Sequence, residues 1–245
     1  MKAKESLLLT KVLRVIYPNR CILCDRVISR EVKYKSVWLN LCEDCKDKLV
    51  EIKDPVCPCC GRPVSEKETL CSDCITKKHE FISGRFTLSY ECIARSIYRF
   101  KYNNKPFYAK DYARIIYQAN KDWIEYINPD GFIPVPLHKK RMNKRGYNQA
   151  LELSRALSEL TGIPTYDNYV LRIKNTIPQK VFDRKGRQIN MKKAFIVPKN
   201  DVKLTIVILV DDIFTTGSTI DAISKELKHQ GTSGIYFITI TAAGT

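Results

Sequence analysis

The chain has 245 residues, with 42 Lys and Arg against 26 Asp and Glu, a net charge of +16. An apolar fraction of 44% is enough to build one large or two modest cores, which excludes a disordered or collagen-like chain. The longest aliphatic run, Ile206 to Val210, is far short of the ~20 apolar residues of a membrane-crossing helix. Lys11 and Arg14 break up the region where a secretory signal would be apolar, so a soluble, cytoplasmic protein is expected.

Charge and cysteine divide the chain differently. Nine of the ten cysteines lie between Cys21 and Cys74. Residues 1–80 hold 16 basic and 12 acidic residues, residues 81–200 hold 23 and 9, and residues 201–245 hold 3 and 5. The basic excess thus belongs to the middle of the chain. These regimes predict an N-terminal helix and cysteine-rich module over 1–80, then a larger domain over 81–245, with the boundary near Lys77–Glu80.

In chain order, residues 5–17 read as an amphipathic helix with Leu8, Val12, Val15 and Ile16 on one side. Four CxxC pairs follow within 54 residues: Cys21/Cys24, Cys42/Cys45, Cys57/Cys60 and Cys71/Cys74. Each CxxC turn can present two thiolates to one metal, and two turns close a tetrahedral site, so eight ligands make two structural zinc sites. The gaps of 17 and 10 residues suit sequential pairing, Cys21/Cys24/Cys42/Cys45 and Cys57/Cys60/Cys71/Cys74. Spacing leaves an interleaved cross-brace open as well. All-thiolate sites have no position for water, so this module is expected to fold around metal rather than do chemistry.

Helices are predicted over 91–102 and 107–126, a short strand over 131–136, and a helix over 148–160 ended by Gly162. A strand over 205–210, a helix over 218–229 and a strand over 235–240 form a βαβ unit, so the larger domain is expected to be α/β with a parallel sheet flanked by helices.

The sharpest motif opens that unit: the apolar strand from Ile206, then Asp211 and Asp212, then Thr215, Thr216, Gly217, Ser218 and Thr219. Two carboxylates arrive at the carboxyl end of a strand, where ligands of open α/β sheets bind. The hydroxyl residues and backbone N–H groups opening the next helix make an anion cradle. Carboxylates to hold sugar hydroxyls beside a cradle for phosphate suit a phosphorylated ribose. The GxxxxGK[ST] pattern of a P-loop is absent.

This segment resembles the phosphoribosyl-pyrophosphate (PRPP) motif of type I phosphoribosyltransferases. The resemblance implies that Asp211 and Asp212 hold the ribose hydroxyls and Thr215–Thr219 the 5′-phosphate, with Mg²⁺ accompanying PRPP. Pro134-Val135-Pro136, Lys139-Lys140-Arg141, Arg145-Gly146-Tyr147-Asn148-Gln149-Ala150, Arg172, Thr176, Gln179, Arg187, Asn190 and Ala194-Phe195 are similar in order to the ComF family of competence proteins. By that resemblance Leu137–Arg141 would be the pyrophosphate loop, the 172–190 stretch a mobile cover, and Lys139, Arg141 and Arg187 the cations that meet PRPP.

The basic middle has a further reading. Lys101, Lys105, Lys110 and Arg114 lie among Tyr98, Phe100, Tyr102, Phe107, Tyr108 and Tyr112, a mixture suited to single-stranded DNA, although several of these rings must be helix core. A solvated basic face is the plain alternative. ComF-like proteins are associated with DNA uptake in transformation, which implies a PRPP-binding, DNA-handling protein with competence or recombination partners. The competing expectation is a Mg²⁺-assisted phosphoribosyltransferase that transfers ribosyl phosphate to an unidentified acceptor. No acceptor-recognising hood is recognisable in the sequence, and no general base can be named, since a lone histidine such as His138 near the pyrophosphate loop is more often structural.

Overall fold

The computed structural model describes residues 18–173, 194–199 and 201–244. The expected helix over 5–17 and the 174–190 part of the expected cover, with Arg187, lie outside the described residues.

The first cysteine-rich unit carries an antiparallel pair, β1 (Val32–Tyr34) and β2 (Val37–Leu39), and a one-turn helix α1 (Glu43–Lys46). The second carries a short helix α2 (Ser72–Thr76). The larger region runs β3 (Ser83–Leu88), α3 (Tyr90–Tyr102), α4 (Tyr108–Ile127), β4 (Gly131–Pro134), α5 (Lys139–Arg145) and α6 (Gln149–Thr161). A two-stranded ribbon, β5 (Leu171–Arg172) with β6 (Phe195–Ile196), precedes β7 (Ile206–Phe214), α7 (Ser218–His229) and β8 (Gly234–Ala242). The main sheet has the order β3-β8-β7-β4, and every pairing in it is parallel. This is the α/β architecture expected. The strand β3 was missed because Ser83, Gly84 and Arg85 hide its apolar pattern.

The alternation of side chains along β7 sets up two cores. Ile208 and Val210 join Ile93, Ile97 and Phe100 of α3, Tyr108 and Tyr112 of α4, and Leu153 and Leu157 of α6. Val207 and Leu209 face the other way, toward Ile220, Ile223 and Leu227 of α7. Each cysteine-rich unit adds to one of these cores: Cys21, Ile22, Leu39, Leu41 and Cys45 to the first, Cys57, Cys60 and Cys71 to the second. The N-terminal region also covers the open edge of the sheet. Ile52 N–H donates to Thr87 O (2.8 Å), Ser89 N–H to Val50 O (2.8 Å) and Gly84 N–H to Cys59 O (2.9 Å). Covering an edge in this way removes a row of unpaired backbone groups. Gly61 permits the approach, since a Cβ there would lie 2.8 Å from Gly84 O and its φ is +78°. The compositional boundary at 77–80 falls within a contact, because Lys77, His79 and the Glu80 N–H all bind Asp221 of α7.

The first unit is fastened to α3 and α4 by polar groups. Ser96 Oγ donates to Ile22 O and Arg99 to Leu23 O. Tyr108 donates to Asp25 Oδ1 (2.7 Å), and Arg114 pairs with Glu31 (2.9 Å). Asp111, fully buried, accepts from Asn40 N–H (2.8 Å) and Asn40 Nδ2 (3.1 Å). Burial pushes the Asp111 carboxyl up to about 6, against the Asn40 hydrogen bonds and the Arg114 charge. An unfolded aspartate titrates at about 3.9, so the folded chain is the one that holds the extra proton. This group therefore favours folding below about pH 4, and that stabilisation is lost as pH rises through about 6. Asp111→Asn should lose that slope: between about pH 5 and about pH 7.5, urea melts should show the variant gaining about 1 kcal/mol on the parent.

Candidate ligand site and zinc clusters

The eight paired cysteines gather into two groups, Cys21/Cys24/Cys42/Cys45 and Cys57/Cys60/Cys71/Cys74, with the ligand atoms in each within 4.8 Å of one another. The interleaved alternative is not the one the fold adopts. Cys24 Sγ lies 3.7 Å from Cys42 Sγ, and Cys60 Sγ lies 3.5 Å from Cys71 Sγ. Tetrahedral thiolates at a Zn–S distance of about 2.3 Å stand about 3.8 Å apart, so both groups fit zinc. Without a metal charge the thiols of this group split: burial opposes ionisation of Cys57 but the N–H groups of Cys60, Cys71 and Cys59 outweigh it and lower its thiol, while burial pushes Cys60 up to about 12 and raises Cys74. Cys59 stands outside both groups.

The second candidate site lies at the carboxyl end of β7. That strand stays paired with β8 through Asp211↔Thr239 and on to Phe214↔Ala242, so the sheet itself holds the two acids. Asp212 is buried, and its N–H donates to Asp211 Oδ1 (2.8 Å). Burial and then the Asp212 charge push the Asp211 carboxyl up, while the Asp212 N–H, Lys101 and Arg145 oppose the shift. Lys101 Nζ at the end of α3 lies 2.9 Å from Asp212 Oδ1. Arg141 lies within the field of both carboxylates, and burial followed by neighbouring Arg145 lowers its pKa. Arg172 is lowered to about 10 by burial and by Arg141, with Asp211 acting the other way. Among the described residues Lys101 pairs with Asp212, while Arg141, Arg145 and Arg172 lie within the electrostatic field of the acids.

The expected hydroxyl loop follows. Gly217 takes φ +72° and forms the cap of α7, with Thr216 Oγ1 and Ser218 Oγ 2.9 Å apart. A side chain at Gly217 would meet the His79 ring at 3.0 Å and Phe214 at 3.2 Å. The loop's geometry is therefore open to glycine alone, and Thr215–Thr219 lead directly into the helix N-terminus.

Of the two expected PRPP cations among the described residues, Arg141 is half-buried within the field of the diacid, whereas Lys139 is exposed at the first position of α5. The 137–141 segment is not an open loop. From Lys139 onward it is the helix α5, capped by His138 Nδ1, which accepts from Lys140 N–H (3.2 Å). The motif from Arg145 to Ala150 proves to be a corner brace. Asn148 accepts from Ala150 N–H (3.1 Å) and donates to Val135 O (3.0 Å). Tyr147 donates to Phe100 O, and Arg145 Nη1 donates to Gln149 Oε1 (2.7 Å). These bonds hold the last turn of α3, which carries Lys101, against the corner that carries Arg145.

Sequence reasoning left Lys101 and Arg145 out of the site and gave Arg172 only as the start of its cover. The 141/145 spacing puts both arginines on one face of a helix, a signal that could have found Arg145. Lys101 carries no local signal. The structure divides the proposed DNA-binding residues: Phe100, Tyr108 and Tyr112 are core, Lys101 belongs to the diacid, and Lys105 pairs with Asp25 (3.1 Å). Tyr98, Tyr102 and Phe107 remain exposed.

These features define an α/β protein with a diacid followed by a hydroxyl-rich loop, and a cysteine-rich N-terminal region. A family model described as a double zinc ribbon domain matches residues 12–75. The chain is 35% identical over 205 residues to Competence protein F of Haemophilus influenzae, covering 80% of this chain and 87% of that protein. It is 28% identical over 229 residues to Competence protein ComFC of Bacillus subtilis, covering 86% and 89%. The chain belongs to the competence protein F and ComFC family. A purine phosphoribosyltransferase from Pyrococcus horikoshii is similar with 16% identity and a TM-score of 0.33, over 56% of this chain and 84% of that one, too low a likeness to bear on function. Among the described residues no helix is long and apolar enough to cross a membrane.

Native mass spectrometry should find two zinc ions per chain, and chelation should lower the thermal midpoint, since binding free energy at such sites is folding free energy.

Proposed function

We propose that the chain is a PRPP-binding, DNA-handling protein of a competence system. The observation that carries this reading is the Asp211–Asp212 pair near the carboxyl end of β7, with Lys101 on Asp212 and Arg141, Arg145 and Arg172 within the field of the pair, followed by the Gly217 turn into α7. A ligand there must carry hydroxyls for the carboxylates, one phosphate for the helix N-terminus, and further negative charge for the cations. PRPP has all three. Mg²⁺ would travel with its pyrophosphate, and Asp211 and Asp212 are the acids nearby. The relatives' names supply the competence role.

Single-stranded DNA is the proposed partner of the surface beside this site. Tyr98 and Tyr102 are exposed with ring centroids 5.0 Å apart, and the Arg145 guanidinium lies 5.1 Å from the Tyr102 ring centroid. Lys139, Lys140 and Lys144 are exposed on α5. Rings that can stack on bases next to mobile cations suit a single strand.

Calorimetry should show PRPP binding that is lost in the Asp211→Asn/Asp212→Asn double variant; unchanged affinity there would sink the ribose assignment. Binding needs ionised carboxylates to accept from hydroxyls, and the Asp211 carboxyl is raised. Affinity should therefore weaken on acidification closer to neutrality than an ordinary aspartate would require, and Asp211→Asn should remove that component of the pH profile.

Anisotropy titrations should show single-stranded DNA binding that weakens as salt rises, and Tyr98→Ala/Tyr102→Ala should weaken it by about 30-fold or more, at about 1–3 kcal/mol per stacked base. Measuring pyrophosphate release from PRPP, with and without DNA, separates a binder from a transferase.

A further inference from the structure

We propose that the second cysteine cluster clamps the anion loop: Arg62, Lys77 and His79 are positioning residues, and metal loading of Cys57/Cys60/Cys71/Cys74 keeps the 215–219 loop in its ligand-ready form. The proposal rests on the reading of that loop as the phosphate cradle.

A loop that offers its N–H groups to an anion turns its carbonyls the other way, and those carbonyls need donors of their own. The second ribbon supplies them. Arg62 Nη2 donates to Thr215 O, and Lys77 Nζ donates to Thr216 O at 3.2 Å. Asp221, in the first turn of α7, is held on three sides. Lys77 Nζ reaches its Oδ2 at 2.5 Å, His79 Nδ1 lies 3.1 Å from both oxygens, and Glu80 N–H donates to Oδ1 at 3.0 Å. His79 is buried as it stacks on Phe81 at 4.5 Å, and its ring limits the space at Gly217.

These groups hang from the ligating turns. Arg62 follows Cys60 by two residues, and its carbonyl accepts from Cys57 N–H at 2.7 Å. Lys77 follows Cys74 by three, as the C-cap of the five-residue helix α2. A helix that short is not stable by itself, so the metal fixes where Lys77 emerges. The first cluster's bonds run instead to α3 and α4, through Ile22 O, Leu23 O and Asp25. The two clusters therefore have different duties, although their ligand sets are alike.

The test compares Lys77→Met with Lys78→Met, a neighbouring exposed lysine that gives the same charge change. Zinc content is counted by native mass spectrometry, amide hydrogen exchange is read at residues 215–221, and PRPP affinity is read by calorimetry. Lys77→Met should keep both zinc ions, exchange its loop amides about tenfold faster and bind PRPP about tenfold more weakly, the scale of one charge-assisted hydrogen bond. Lys78→Met should match the parent, and Arg62→Met should move with Lys77→Met. Loop exchange in Lys77→Met equal to that in Lys78→Met overturns the clamp. Faster loop exchange in a protein that never binds PRPP supports the clamp and removes the ligand reading. Stepwise chelation gives a second measure. Cys24 is exposed while Cys57, Cys60 and Cys71 are buried, so the first cluster should yield its zinc first. Loop exchange should rise only with loss of the second ion, and a rise with the first overturns the proposal.

Discussion

Two carboxylates placed side by side at the end of a buried strand are the constraint around which the rest of the molecule is arranged. Asp211 and Asp212 repel each other, and burial costs each of them solvation. Such a pair persists only where cations or ligand donors answer it. The structure brings Lys101 from α3, Arg141 and Arg145 from α5, and Arg172 from β5. Their elements are far apart in sequence, so the fold must hold several junctions to within hydrogen-bond tolerance. The Tyr147, Asn148 and Gln149 brace at the start of α6 is one such junction, tying α3 and β4 to the corner where Arg145 sits. The cations are therefore in an environment that already contains negative charge. An anionic ligand would exchange part of that pairing for its own phosphates, while its hydroxyls satisfy the acids.

The cysteine-rich region solves a different problem. Among the described residues its secondary structure amounts to two three-residue strands and two helices of four and five residues, too little to sustain a core of its own. Cross-linking by metal replaces the missing core, and the units then lend their apolar residues to the two faces of the α/β region. The polar fastenings are asymmetric. The first unit is bound through buried Asp111 and Tyr108 to the helices, and the second through Arg62 and Lys77 to the carbonyls of Thr215 and Thr216.

Much of this was legible in the sequence because it is local. Four CxxC pairs at short spacing can hardly do anything but gather, and the apolar run ending in Asp211-Asp212 announces both the strand and its edge. Helices α3, α4, α6 and α7 came within a residue or two of their predicted bounds, since their apolar periodicity is strong. What was not legible is tertiary. Lys101 looks from sequence like one more cation among aromatics, and only the packing of α3 against β7 takes its ammonium to Asp212. His79 and Lys77 sit in what reads as a linker, and their meaning depends on Asp221, more than 140 residues away. The 137–141 loop was misread for the opposite reason, because basic side chains there concealed a short capped helix.

The same distinction changes what the positive charge means. A net excess concentrated in residues 81–200 suggests a single basic face, but the structure distributes it among separate tasks. Some cations neutralise the diacid. Others, such as Lys105 and Arg114, pair with Asp25 and Glu31 and secure the first ribbon. The exposed lysines of α5 are on the same helix as Arg145, whose guanidinium lies against Tyr102 of the Tyr98–Tyr102 pair, and as Arg141, which feels the charge of the acids. A strand of nucleic acid lying on that surface and a phosphorylated ribose at the diacid would therefore share α5. On the proposed reading the two ligands would meet at one short element, and any coupling between them would be reciprocal, each altering the other's affinity by the same factor.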